Sequence, residues 1–325
     1  MEDSFVNNIF QLNHFDEAVA VRLFHYQWQH NDVYRRWCDL IHCTPAKVQS
    51  VLQIPFLPIS FFKTHDVITG EYVPQTIFTS SGTTQTVNSR HLVKDVNLYH
   101  ASFKTSFRLF YGDVKNLCIL GLLPSYLERT GSSLIYMVDE LMRQSQHPQS
   151  GFYLYDFEKL KTTLQQLEDA AQPTILFGVT FALLDFAELC PMPLHHTSII
   201  ETGGMKGRKE ELTLEEIHTT LTSAFHLPAI HSEYGMTELL SQAYSKGNGI
   251  YYCPPWMKVL VREDDDPFAV HEAGRGVLNI IDLANIHSCA FIATDDAGIV
   301  HKNSCFEVLG RIDNSDLRGC SLLSL

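Results

Sequence analysis

The chain has 325 residues, enough for one large domain or two medium ones around a sizeable core. A hydrophobic share of 45% and a charged share of 19% exclude global disorder. With 24 Lys and Arg against 37 Asp and Glu, the net charge of −13 argues against a chain that adheres as a whole to nucleic acid or anionic lipid; it leaves room for a small basic nucleotide pocket.

The opening MEDSFVNNIF has two acids and no apolar core, unlike a secretory leader. The most apolar uncharged stretch, 170–184, is too short to span a bilayer and contains Pro173 and Gly178, so no membrane insertion is expected. The eight cysteines are scattered without a CxxC pair, which points to a reduced, cytoplasmic setting. The 16 histidines form no HExxH motif and no tight Cys/His cluster.

In chain order, residues 16–43 read as helical, with apolar residues at mixed three- and four-residue steps, and Pro45 is placed to open another helix. Two prolines make 54–67 an extended segment crossing an apolar surface. A strand and loop follow over 75–90. Helices are expected at 97–109, 132–143, 156–171 and 208–225, alternating with strands at 116–123, 173–180, 197–201 and 228–235. From residue 250 short strands dominate, at 257–263, 276–282, 289–295 and 304–310. The pattern predicts an α/β fold: layered mixed sheets flanked by helices, in a single domain over 1–325 with a β-rich subdomain at about 250–310. The acidic run 263–266 reads as a solvated turn.

The strongest local chemistry is Thr79-Ser80-Ser81-Gly82-Thr83-Thr84, where five hydroxyls surround one glycine after a short apolar strand. Such a loop can wrap a phosphate with backbone N–H groups and hydroxyl donors, although a Ser/Thr-rich turn has the same composition; with no GK[ST] it is not a Walker A loop. Tyr234-Gly235-Met236-Thr237-Glu238 follows a strand and offers an aromatic, a tight glycine, a hydroxyl and a carboxylate. Thr294-Asp295-Asp296-Ala297-Gly298 reads as a strand end presenting carboxylates, and Gly310-Arg311-Ile312-Asp313 follows the next strand.

In this order the four motifs resemble the adenylate-forming acyl-activating superfamily, over roughly residues 54–325. The resemblance is strongest to the LuxE-type acyl-protein synthetases, through PFLPISFFKTHDV, SSGTT, LLPSYLERTGSSLIYMVDEL, ETGGMKGR, EYGMTEL and GRIDNSDLRGCSLL; the phenylacetate–CoA ligases share the nucleotide motifs. The resemblance implies ATP and Mg²⁺ as cofactors. Ser80, Ser81, Gly82, Thr83 and Thr84 would hold the β- and γ-phosphates, and Tyr234 would pack on adenine in a pocket lined by Gly203 and Gly204. Thr237 would bind the α-phosphate, Glu238 the metal, and Asp296 and Arg311 the ribose.

Two departures from the family pattern stand out. The Gly and Lys usual after the phosphate loop are missing, with Arg90 as a substitute for the charge. The sequence also ends fifteen residues after Gly310, so the lid domain of longer relatives and its catalytic lysine are not expected; Lys206 and Arg208 are candidates to replace that lysine. Enzymes of the LuxE type carry the acyl group on a cysteine near the C-terminus, and Cys320 matches by position and context, with Arg318 nearby to favour its thiolate. The expected function is ATP-dependent activation of a carboxylic, fatty acid as acyl-adenylate, then transfer to Cys320. The alternatives are a ligase passing the acyl group to CoA or a carrier protein, and a non-catalytic nucleotide-binding partner of an acyl reductase. A zinc site at His287 and Cys289 with Cys253 or Cys305, and a general base at His65, are weaker candidates.

Overall fold

The structure, a computed structural model, describes residues 8–80, 87–123, 131–203 and 212–312. Two helices open it, α1 (Glu17–His30) and α2 (Asp32–Leu40). The sequence pattern of 16–43 predicts one helix; Asn31 divides it. Asn31 takes an extended conformation, its N–H donates to Gln27 O, and its side chain accepts from Tyr34 N as the cap of α2. The buried Asn31 side chain accompanies the break, its Nδ2 donating to Thr69 Oγ1 and Ser288 O, and the buried Gln27 holds the same loop. The Gln27 amide donates to the carbonyls of Asn285, Ile286 and Ser288 and accepts from Ala290 N, fastening α1 to a distant loop.

The extended segment predicted at 54–67 contains β1 (Leu57–Pro58), which runs parallel to β14 (Phe291–Val300), and a single turn α3 (Phe61–Thr64). Pro58, which lacks a donor, is tolerated at this edge position. β2 (Thr76–Thr79) and β3 (Arg90–Val93) form a separate antiparallel hairpin. Next come α4 (Val96–Tyr111), β4 (Cys118–Leu122), α5 (Ser133–Ser145), β5 (Gly151–Phe152) and α6 (Phe157–Asp169).

β6 (Thr174–Val179) is buried at every residue, and α7 (Thr180–Leu189), a helix the sequence pattern does not predict, follows it directly. Gly178 permits the sharp turn, since a Cβ there would collide with Leu183. β7 (Thr197–Thr202), α8 (Leu214–Phe225) and β8 (His231–Tyr234) complete the alternating part; the helix expected from Arg208 begins among the described residues at Leu214, behind a capping box formed by Thr213 and Glu216.

The remaining strands are β9 (Ala243–Ser245), β10 (Ile250–Tyr252), β11 (Met257–Arg262), β12 (Val270–His271), β13 (Gly274–Asp282), β14 and β15 (Phe306–Arg311). Among the described residues thirteen strands share one sheet, in the order β12-β11-β13-β14-β15-β10-β9-β8-β7-β6-β4-β5 with β1 beside β14. The β8-β7-β6-β4-β5 half is parallel, and the rest is antiparallel apart from β1. The β-rich part is thus hydrogen-bonded into the parallel part through β15, β10 and β9. The core is continuous across both; the fully buried Trp256 donates Nε1 to Ser102 Oγ on α4 and to Ser241 Oγ.

The sequence reading ends a strand at Thr294–Gly298 and places Gly310 and Arg311 after the next one. Instead β14 runs on to Val300, and both Gly310 and Arg311 lie inside β15. Pairing to β13 on one side and β15 on the other outweighs the low strand propensity of the Asp-Asp pair. A register shift at Ala297/Gly298 absorbs the irregularity.

No helix among the described residues is long and apolar enough to cross a membrane.

Candidate active site

Strands β6, β7 and β8 run parallel and end side by side, the place where open α/β sheets gather ligands. Gly203 follows β7 with φ of +87°, a left-handed conformation that glycine adopts without steric cost. Tyr234 closes β8. Its hydroxyl donates to Asp296 Oδ2 at 2.7 Å, and its ring packs edge-on against Tyr251 and Phe306, at centroid distances of 5.9 and 5.4 Å. Burial, then the Asp296 charge, holds the Tyr234 phenol far above its ordinary range, so it stays a neutral donor.

Asp296 and Arg311 are register partners across β14 and β15, with Nε 3.4 Å from Oδ1. The guanidinium is largely exposed and the ion pair is correspondingly weak, leaving Arg311 available to a second oxygen partner. Three sequence candidates, Tyr234, Asp296 and Arg311, therefore meet in one place.

A second group forms around Glu238. This carboxyl is 4% exposed; burial raises its pKa, against a hydrogen bond from Ser89 and the charges of Arg311 and Lys63. Ser89 N donates to Ser80 Oγ at 2.9 Å, and Ser80 N to Ser89 O at 3.1 Å. Ser80 and Ser89 thus close the neck of the hairpin that carries the hydroxyl-rich loop, and Ser89 connects that neck to Glu238. Thr79 takes part as well, its N–H donating to Gly131 O.

Three buried groups that the sequence reading passes over hold the 235–242 loop. His91 Nδ1 donates to Thr237 O at 2.8 Å, which fixes the neutral tautomer; burial lowers its pKa to about 4. Asn285 Nδ2 donates to Glu238 O at 2.7 Å. Asp282 accepts from Leu240 N, Ser241 N and Ser241 Oγ. Burial still raises the Asp282 pKa despite these donors. Nothing local in the sequence marks these three residues, because their partners lie 41 to 146 positions away.

Two more carboxyls sit beneath the strand ends. Glu201 on β7 accepts from Thr180 Oγ1, and Glu233 on β8 accepts from Thr202 Oγ1 at 2.6 Å. Burial pushes Glu201 up, and burial with the nearby Glu201 charge pushes Glu233 up to about 7.

Other sequence candidates are engaged elsewhere. Arg90 Nη2 pairs with Asp66 Oδ1 at 2.5 Å, so its charge is shared with that carboxylate. His65 Nδ1 contacts Thr64 Oγ1 at 2.8 Å, and its ring stacks on Phe61. Among the described residues no three His, Cys, Asp or Glu side chains are grouped to hold a metal ion, the proposed His287/Cys289 set included. Ser81, Gly82, Thr83, Thr84, Gly204, Lys206, Arg208, Asp313, Arg318 and Cys320 lie outside the described residues.

The family model of the LuxE acyl-protein synthetases matches residues 7–324. A long-chain-fatty-acid–luciferin-component ligase of Aliivibrio fischeri is 23% identical over 343 residues, covering 95% of this chain and 89% of its own. The protein of the same name from Vibrio harveyi is 21% identical over 323 residues, covering 92% and 84%. Among solved structures, a 2-hydroxyisobutyryl-CoA ligase in the postadenylation state superposes with a TM-score of 0.63 at 11% identity, over 91% of this chain and 67% of that one. ATP-bound MatB from Rhodopseudomonas palustris gives 0.54 at 15% identity, over 72% of this chain and 47% of that one, so the chain spans about half of MatB's length. These likenesses show a shared mixed α/β fold. The chain belongs to the LuxE family of acyl-protein synthetases.

Proposed function

We propose that the chain uses Mg·ATP to activate a fatty acid as its acyl-adenylate and then receives the acyl group on Cys320. The observation that carries this reading is the convergence at the strand ends of Tyr234, Asp296 and Arg311 on one side and of Glu238, Ser89 and Ser80 on the other. Two relatives named as long-chain-fatty-acid ligases support the substrate class, and the nucleotide states of the two solved structures support adenylate chemistry.

In the first step a carboxylate oxygen attacks the α-phosphorus of ATP; that O–P bond forms, the bond to the bridging oxygen breaks, and pyrophosphate leaves. The protein contributes position and charge. Asp296 accepts from ribose hydroxyls while Tyr234 holds its other oxygen in place. Arg311, paired with Asp296, is assigned to the ribose as well, and the phosphates are assigned to Ser80, Ser81, Gly82, Thr83 and Thr84. The proposed acceptor of the metal is Glu238, a buried hard-oxygen donor next to the phosphate loop; its chemistry fits Mg²⁺, which takes one or two carboxylates plus phosphate oxygens and water. When bound, Mg²⁺ neutralises charge on the phosphates. Thr237 and Glu238 are presented by a backbone that His91 and Asn285 anchor.

In the second step a thiolate attacks the acyl carbonyl and AMP leaves, giving a thioester. Six of the seven described cysteines, Cys38, Cys43, Cys118, Cys190, Cys253 and Cys289, have their thiols pushed up by burial, which disfavours the nucleophilic form. Cys320 lies within the region that the family model matches.

The test is pyrophosphate release with Mg·ATP across a panel of carboxylic acids, followed by intact mass. Release with fatty acids and a hydroxylamine-labile acyl adduct are expected. Adenylate formation without self-acylation would favour transfer to CoA or a carrier protein, and no release with any acid would favour a nucleotide-binding partner of an acyl reductase.

A further inference from the structure

One face of the β8–β9 hairpin carries buried polar groups that the fold itself leaves without partners. Glu233 lies directly opposite Tyr244 in the ladder, and Tyr234 opposite Ala243. Beyond that pair, the Glu233 carboxyl and the Gln242 side chain both reach the place a Cβ would take on Gly235. From α4, Tyr111 packs edge-on against Tyr244 at 5.4 Å and stacks on His231 at 5.7 Å. The hydroxyls of Tyr111 and Tyr244, Gln242 Oε1 and His231 Nδ1 are buried and have no hydrogen-bond partner. Tyr244 is fully buried and Gln242 is 4% exposed. Buried polar atoms in native proteins are paired with few exceptions, so three on one face of this hairpin, with the Tyr111 hydroxyl from α4 against them, point to a ligand. The cluster adjoins the active site: Glu233 precedes Tyr234, it is bonded to Thr202 beside Gly203, and its carboxyl lies under the exposed Gly235.

We propose that this cluster is a subsite for a hydroxyl substituent on the acyl chain, making a hydroxylated acid the preferred substrate; this rests on the acid-activation reading above. The chemistry selects the group. Glu233 and Gln242 Oε1 accept, the tyrosine hydroxyls donate and accept, and a hydroxyl does both. A carboxylate would be repelled by Glu233. An ammonium would meet Lys246, whose Nζ sits 5.6 Å from the Tyr111 ring centroid. A plain methylene chain would leave all four atoms unpaired at the cost of their desolvation.

The experiment is calorimetric binding of matched n-alkanoates and their monohydroxy isomers, from butanoate to tetradecanoate, to wild type, Tyr244→Phe and Gln242→Leu. At least one hydroxy acid is expected to bind about tenfold more tightly than its parent, as one added hydrogen bond allows, and both variants should flatten that preference. Tyr244→Phe removes an unpartnered hydroxyl, so its melting temperature without ligand should hold or rise, which separates loss of the subsite from loss of fold. A flat preference in wild type, or a preference that survives in both variants, overturns the subsite. Pyrophosphate release from unsubstituted alkanoates alongside a flat preference overturns the subsite and leaves acid activation standing. A hydroxy-acid preference with no pyrophosphate from any acid does the reverse.

Discussion

Tyr234 Oη donates to Asp296 Oδ2 at 2.7 Å, joining two motifs 62 residues apart in the chain. The bond occupies one carboxylate oxygen and leaves the other facing Arg311 at 3.4 Å. Asp296 is thereby oriented before any ligand arrives. Asp296→Ala is expected to weaken ATP and AMP binding by one to two decades, since charge-assisted bonds to a buried carboxylate are worth roughly 1.5–3 kcal/mol. Tyr234→Phe should weaken the same ligands by a smaller factor, through lost orientation. Calorimetry checks both; equal affinity in wild type and Asp296→Ala would mean that ribose is held elsewhere.

Glu238→Gln keeps the shape and the hydrogen bond from Ser89 but removes the charge. Pyrophosphate release should fall at least about tenfold, because a decade corresponds to ~1.4 kcal/mol of transition-state stabilisation. The loss should be partly recovered at high Mg²⁺. Turnover equal to wild type at limiting Mg²⁺ would remove Glu238 from the metal role.

His91 and Glu233 give the stability curve two opposing slopes. The His91 pKa drops from its ordinary 6.5 to about 4 on folding, so between these values the unfolded chain binds more protons and stability rises with pH. The Glu233 pKa rises from 4.5 to about 7, so the folded chain binds more protons there and stability falls as pH rises. Each contribution is of order 3 kcal/mol at most. Glu233→Gln should therefore gain stability relative to wild type as pH rises from 4.5 through 7. Denaturant melts at a series of pH values check this, and a constant difference would show that Glu233 titrates normally.

Cys320→Ala should abolish a hydroxylamine-labile acyl adduct while leaving pyrophosphate release on the first turnover intact. Peptide mapping of the acylated wild type should place the mass on Cys320. The same adduct on Cys320→Ala would assign the thiol to another cysteine. That outcome would be unexpected for the six described thiols held protonated by burial.

The sequence by itself determined most of the alternation of helix and strand from 97 to 235, because apolar periodicity and caps such as Asp95, Ser132, Asp156 and Thr213 act within one or two turns; it passed over α7, whose N-terminus has no side-chain cap and which is apolar on nearly every side. It also offered Ser80, Tyr234, Glu238, Asp296 and Arg311 as candidates, since a hydroxyl-rich stretch or a carboxylate beside a strand end is visible in the order of residues alone. What only the tertiary structure decided is which of them meet. Arg311 faces Asp296 because two strands pair in one register, and a one-residue slip would send it to the opposite face. The break falls at Asn31, whose buried side chain bonds to the Ser288 carbonyl 257 residues away, an interaction that local helix propensity does not include. His91, Asp282 and Asn285 anchor the 235–242 loop and Glu233 adjoins it, yet each is only a polar residue in a strand or turn until burial removes water and makes every partner count.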